Sequence, residues 1–79
     1  MAGNLTLRNL PPGQSATVVK INGTGALRRR IMEMGIVPGS VINVVRYAPL
    51  GDPLEIKLKG CLLSLRKEEA ELVEITKEN

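Results

Sequence analysis

The sequence predicts a mainly β fold: a small, strongly bent barrel of five strands, with one α-helix inserted between the first and second strands and a short helical turn before the last. Three observations carry this expectation. Leu, Ile and Val supply 24 of the 79 residues and fall in short, often β-branched runs, as half-buried strands require. Turn chemistry separates those runs, at Pro12-Gly13, Asn22-Gly23, Pro38-Gly39, Gly51-Asp52 and Gly60. A chain of this length is also too short for two flat packed sheets, so its strands must curl around one core. A single SH3-like domain over residues 1–79 satisfies all three.

The elements follow in order. Leu5, Thr6, Leu7 and Leu10 lead into Pro11-Pro12-Gly13-Gln14, where Pro12 and Gly13 suit the central positions of a type II turn. Residues 15–21 form the first strand and Asn22-Gly23 closes it. Thr24 offers a hydroxyl to cap the helix, whose buried stripe is Leu27, Ile31 and Met34, with Arg28, Arg29 and Glu33 turned to water. Arg30, beside that stripe, can lay its stem on the core and bond carbonyls or Glu33. Gly35 stops the helix in a left-handed cap, and Ile36 packs back onto Ile31. Val37-Pro38-Gly39-Ser40 repeats the first turn and feeds a strand over residues 41–46. Residues 54–59 alternate apolar and charged side chains, Gly60 permits a tight reversal, and residues 61–65 make the fourth strand. Residues 66–70 are too short and charged for more than one helical turn, and residues 72–75 form the last strand. Leu54, Ile56, Leu58, Leu63 and Leu65 join the helix stripe in the core, while Gly13, Gly35 and Gly39 serve backbone geometry.

Composition narrows function. The core is aliphatic, with Tyr47 the one aromatic residue and neither Phe nor Trp. No apolar run follows a basic start and no uncharged apolar stretch is long enough to span a bilayer, so the cytoplasm is the expected compartment. The lone Cys61 cannot make an internal disulfide and opens a strand-like run, which suits a buried thiol in a reducing compartment. Residues 1–50 carry a balance of +5 and residues 51–79 one of −2, within an overall +3 that is ordinary for a soluble domain.

Catalysis fails on inventory. The chain has no histidine, the usual proton-transfer group near neutral pH and the commonest transition-metal ligand. Ser15, Ser40, Ser64 and Cys61 lack a base to activate them, and the carboxylates of residues 68–74 sit in a mixed charge run typical of a solvated face. The reading is therefore not an enzyme, with no cofactor, no metal site and no catalytic residues. Gly23-Thr24-Gly25 has neither the length nor the lysine of a phosphate-binding loop. Arg28-Arg29-Arg30 invites nucleic acid, but three successive helix positions spread over roughly 300° of arc and no aromatic stands ready for stacking. No nucleic-acid partner is expected. A proline-rich peptide groove is excluded by the shortage of aromatics.

What remains is a binding module, and the candidate surface is the loop Ala48-Pro49-Leu50-Gly51-Asp52-Pro53. A hairpin needs only two connecting residues. This loop is longer and stiff: the prolines fix φ, Gly51 permits positive φ and Asp52 can bond its own backbone. Leu50 stands at the apex, where a leucine either folds back on the core, its commoner fate, or waits for a partner. As a binding site, the loop has Leu50 as its anchor, and the helix face bearing Arg28 and Arg29 is the second candidate.

Over residues 7–75 the chain resembles the FeoA family. The resemblance rests on Leu10-Pro11-Pro12-Gly13, on Leu27-Arg28-Arg29-Arg30-Ile31-Met32-Glu33-Met34-Gly35-Ile36-Val37-Pro38-Gly39, on Ala48-Pro49-Leu50-Gly51-Asp52-Pro53, on Gly60 and on Leu63-Ser64-Leu65-Arg66-Lys67-Glu68-Glu69-Ala70, in that order. The family often carries an aromatic where this chain has Cys61. The resemblance implies a cytoplasmic, non-enzymatic accessory that contacts the cytoplasmic part of the FeoB transporter and supports Fe(II) uptake, touching the membrane only through that transporter. Exposed strand edges would also permit a weak homo-oligomer. Two rivals are an SH3-like nucleic-acid module and the appended domain of a metal-responsive regulator, although a DNA-binding helical domain is absent from the sequence. Direct iron carriage finds no ligand set of recognisable spacing.

Overall fold

A computed structural model describes residues 5–77. Its strands are β1 (Ser15–Ile21), β2 (Val41–Tyr47), β3 (Leu54–Leu58), β4 (Cys61–Leu65) and β5 (Val73–Lys77), with helix α1 (Gly25–Glu33) between β1 and β2 and the single turn α2 (Lys67–Ala70) before β5. All pairings are antiparallel in one sheet of order β4-β3-β2-β1-β5. The strands lie within two residues of their expected bounds. The sheet is bent but not closed: β4 and β5 are its two edges and do not pair with each other. The barrel is thus an open one.

Two bulges bend the sheet. Between Val18 and Lys20 the β1–β5 register slips past Val19, and between Val44 and Arg46 the β2–β3 register slips past Val45. Each leaves one extra residue on the strand, which kinks it and strengthens the local twist. Both displaced valines are consequently exposed. The concave face encloses Ala16, Val18, Ile42, Val44, Leu54, Ile56, Leu65 and Val73, all essentially inaccessible. Leu7 and Leu10, brought inward by a 3-10 turn at Leu7–Asn9, close one end of this core.

Turn chemistry behaves as the dipeptides dictate. The Gln14 N–H donates to the Pro11 carbonyl at 3.3 Å and the Ser40 N–H to the Val37 carbonyl at 3.0 Å, each closing a turn with Pro-Gly at its centre. The hairpin from β3 to β4 takes Lys59 and Gly60 through positive φ, the pattern of a two-residue turn that matches strand twist. At the end of α1, Gly35 sits at φ +96. Its N–H reaches the Met32 carbonyl at 3.0 Å, and the Ile36 N–H reaches the Ile31 carbonyl at 3.4 Å. These are the two bonds of a Schellman cap, and Ile36 is buried beside Ile31.

Several side chains depart from expectation. Leu27 is exposed, because only the C-terminal half of α1 lies on the sheet; Ile31 is the one fully buried residue of the helix, with Met32 and Met34 packed partly against the core. Thr24 occupies the N-cap position, but its side chain makes no capping hydrogen bond. Cys61 is exposed rather than buried. It shares the inward face of β4 with Leu63 and Leu65, yet burial fades along that edge strand, from Leu65 (buried) through Leu63 (half-buried) to Cys61. Arg30 turns away from Glu33 and pairs with Glu69 of α2.

Candidate functional site

The loop over residues 48–53 begins where β2 ends, and its base is fixed by Tyr47. The phenol oxygen lies 2.8 Å from the Arg8 carbonyl and 2.9 Å from the Leu10 carbonyl, so one hydroxyl proton ties the hairpin to the N-terminal 3-10 turn. Across the neck, the Ala48 N–H donates to the Pro53 carbonyl at 2.9 Å. Above it, the Gly51 N–H donates to the Ala48 carbonyl at 2.7 Å, which closes a β-turn with Pro49 and Leu50 at its centre. Gly51 takes φ +86 and the Asp52–Pro53 peptide is cis.

Asp52 does not bond its own backbone. Its Oδ1 accepts the Lys67 N–H at 3.0 Å, and its Oδ2 stands 4.0 Å from Arg66 Nη1. A loop carboxylate thus caps the first turn of α2, where unpaired N–H groups favour negative charge. The other end of the linkage is Glu69. Its Oε1 accepts the Arg66 N–H at 2.8 Å and its Oε2 takes Arg30 Nε–H at 2.7 Å, although the Glu69 side chain is only 3% exposed. Loop, α2 and α1 are therefore held in series.

With its lower half so constrained, the loop presents Leu50 at 93% exposure. The side chain stands clear of the core. Beside it a shallow groove is lined by Arg46, Tyr47, Ala48, Pro49, Pro53 and Glu55, with an ion pair of 2.7 Å between Arg46 Nε and Glu55 Oε1 along one side. An apolar tip next to a groove with a charged rim suits a protein contact.

The second candidate surface is separate. Arg28 and Arg29 line an open groove with Gly23, Thr24, Gly25 and Met32. Arg28 Nε donates to the Ile21 carbonyl at 3.3 Å, whereas Arg29 has no partner among the described residues. No hydrogen bond among the described residues joins these arginines to the loop. Arg30 is committed to Glu69 and does not join Arg28 and Arg29 at their groove, so the three arginines do not share one face. Among the described residues, no group of three or more His, Cys, Asp or Glu side chains could hold a metal ion. Among the described residues, no helix is long and apolar enough to cross a membrane.

Burial pushes the Tyr47 phenol above its ordinary value of 10.0, and nearby Arg8 offsets part of the push. The folded state disfavours the phenolate, so the stability gained is complete below the unfolded value and is lost as pH rises through the folded one. Tyrosinate absorbance should titrate later in the native protein than in the denatured chain, with stability declining over the same alkaline range. An equal native midpoint would mean that the hydroxyl is free in solution, and a lower one that the attraction of Arg8 for the phenolate outweighs burial.

The sequence matches the FeoA domain family over residues 5–77. It is 41% identical over 71 residues to a Fe(2+) transport protein A/Fe(2+) transporter FeoB fusion protein of Porphyromonas gingivalis, covering 90% of this chain and 8% of that one. The solution structure of iron(II) transport protein A from Clostridium thermocellum superposes with a TM-score of 0.88 at 38% identity, covering 92% of this chain and 45% of that chain. The crystal structure of Stenotrophomonas maltophilia FeoA complexed with zinc, a prokaryotic SH3 domain protein, superposes with a TM-score of 0.79 at 32% identity, covering 91% and 89%. The chain thus spans a small part of the fusion protein and under half of the Clostridium thermocellum chain.

Proposed function

The chain belongs to the FeoA family, and on that premise we propose that it is a non-enzymatic accessory of ferrous iron uptake, working at the cytoplasmic part of FeoB and modulating its activity or assembly. The observation that carries this reading is Leu50, held out on a stiff loop that is braced at both ends. Exposing a leucine so fully costs solvation that a partner pocket would recover. The Porphyromonas gingivalis relative, in which an FeoA part and FeoB form one polypeptide, supports the choice of partner. The lack of histidine in the sequence supports a role in contact rather than chemistry.

Affinity for the cytoplasmic region of FeoB, titrated with and without GTP, tests the reading. Leu50→Glu is expected to leave thermal unfolding unchanged, because the side chain touches no core residue, and to weaken binding roughly tenfold or more, as loss of a buried anchor does. Unchanged affinity in the folded variant would move the contact to the face bearing Arg28 and Arg29. Failure of the unaltered protein to bind in either nucleotide state would end the docking proposal.

A further inference from the structure

The two edges of the sheet are not equivalent. At β5 the outer side is occupied: the Ile75 N–H donates to the Leu5 carbonyl at 3.0 Å and Thr6 bridges to Glu74. β4 pairs with β3 alone, and its other side meets no strand among the described residues. Edge strands are ordinarily guarded by charge, proline or a bulge. β4 reads Cys61-Leu62-Leu63-Ser64-Leu65 and has none of these; Leu62 is 63% exposed on its outer face, and Cys61 and Leu63 are incompletely covered on the inner one.

What surrounds this edge selects its occupant. Lys57 lies directly opposite Leu62 in the register, Lys59 stands in the turn before β4, and Arg66 and Lys67 follow it. Lys57, Lys59 and Lys67 have no ion-pair partner among the described residues. The nearby acids are mostly engaged elsewhere: Asp52 caps α2, Glu55, opposite Ser64 in the register, pairs with Arg46, and of the two acids in the first turn of α2 Glu69 is buried against Arg30, which leaves Glu68 outnumbered. A second copy is a poor fit. Pairing β4 with another β4, antiparallel or parallel, sets cationic flanks against cationic flanks at both ends.

We propose that β4 is a docking edge that takes an extended segment of another protein by strand addition, one with apolar side chains at alternate positions and carboxylates at its ends. Backbone groups of β4 would supply the ladder, Leu62 and Leu63 the apolar contacts on the two faces, and the flanking cations the choice of sequence. The site is distinct from the Leu50 tip and does not depend on the transporter reading.

The probe is a short synthetic peptide of alternating valine and threonine with paired glutamates at each end. It is expected to bind, to shift the amide resonances of residues 61–65 and to slow their hydrogen exchange. A lysine-ended version should bind about tenfold more weakly. Leu62→Lys, at an exposed position that the fold does not need, should weaken the acidic peptide about fivefold, and Lys59→Glu combined with Lys67→Glu about tenfold. Failure of the acidic peptide to bind would overturn the proposal, as would equal binding of the lysine-ended peptide or binding that leaves β4 unperturbed. A dimer of the free protein that Leu62→Lys dissolves would overturn it in favour of self-pairing. Each outcome is independent of the FeoB titration, so either idea can fail alone.

Discussion

Ile31→Ala is expected to destabilise the protein by about 3–4 kcal/mol, measured as a shift in urea midpoint at constant slope. The size follows from position. Ile31 is fully inaccessible and is the single completely buried residue of α1, a nine-residue helix too short to persist without tertiary contacts. Deleting most of that side chain removes the pin that seats the helix on the sheet and leaves a void in a core packed from β1, β2, β3 and Ile36. In a domain whose total stability is of the order of 5–10 kcal/mol, a large share would be lost. A measured loss below about 1 kcal/mol would mean that the helix is held elsewhere.

Arg30→Ala is expected to cost about 2–3 kcal/mol although its side chain is 62% exposed. The cost resides in the partner. Glu69 is buried, and without Arg30 its carboxylate would keep one charge-assisted bond, to the Arg66 N–H. The exposure of Arg30 lets water reach part of the vacated site and holds the figure below that of a fully buried pair. Arg30→Lys should restore less than half, because an ammonium cannot reproduce the Nε–H geometry. A double-mutant cycle with Glu69→Ala should give a coupling of about 1–2 kcal/mol; additive losses would refute the pairing. Because α2 also receives Asp52, the Arg30→Ala variant should exchange amide protons faster in residues 48–53 than Ile36→Val, a matched core perturbation.

How much of this was readable depends on the range of the interaction that decides it. Pro12-Gly13, Pro38-Gly39 and the Gly35 cap were legible, because a turn or a helix stop is settled by a few consecutive residues. The strands and the place of the helix were legible for the same reason. Leu27 misled because helical spacing identifies a stripe but not how far the sheet extends beneath it. Cys61 misled because alternation assigns a face, while burial on an edge strand depends on what lies past the edge. The pairs Arg30–Glu69 and Asp52–Lys67 join segments distant in sequence, and nothing local announces them. At the proposed contact, the stiffness of the loop could be read directly. That Leu50 faces solvent rather than the core could not.

The order of the strands has a kinetic side. β2, β3 and β4 form a meander whose pairings span few residues, so they can zip as soon as the two hairpins close. The pairing of β1 with β5 joins Ala16 to Lys77 and Ile21 to Val73, closing loops of most of the chain. Closure entropy makes such contacts slow to gain. On a ribosome β1 emerges before the other strands, and it can find the second of its two neighbours only after α1, β2, β3, β4 and α2 have been made.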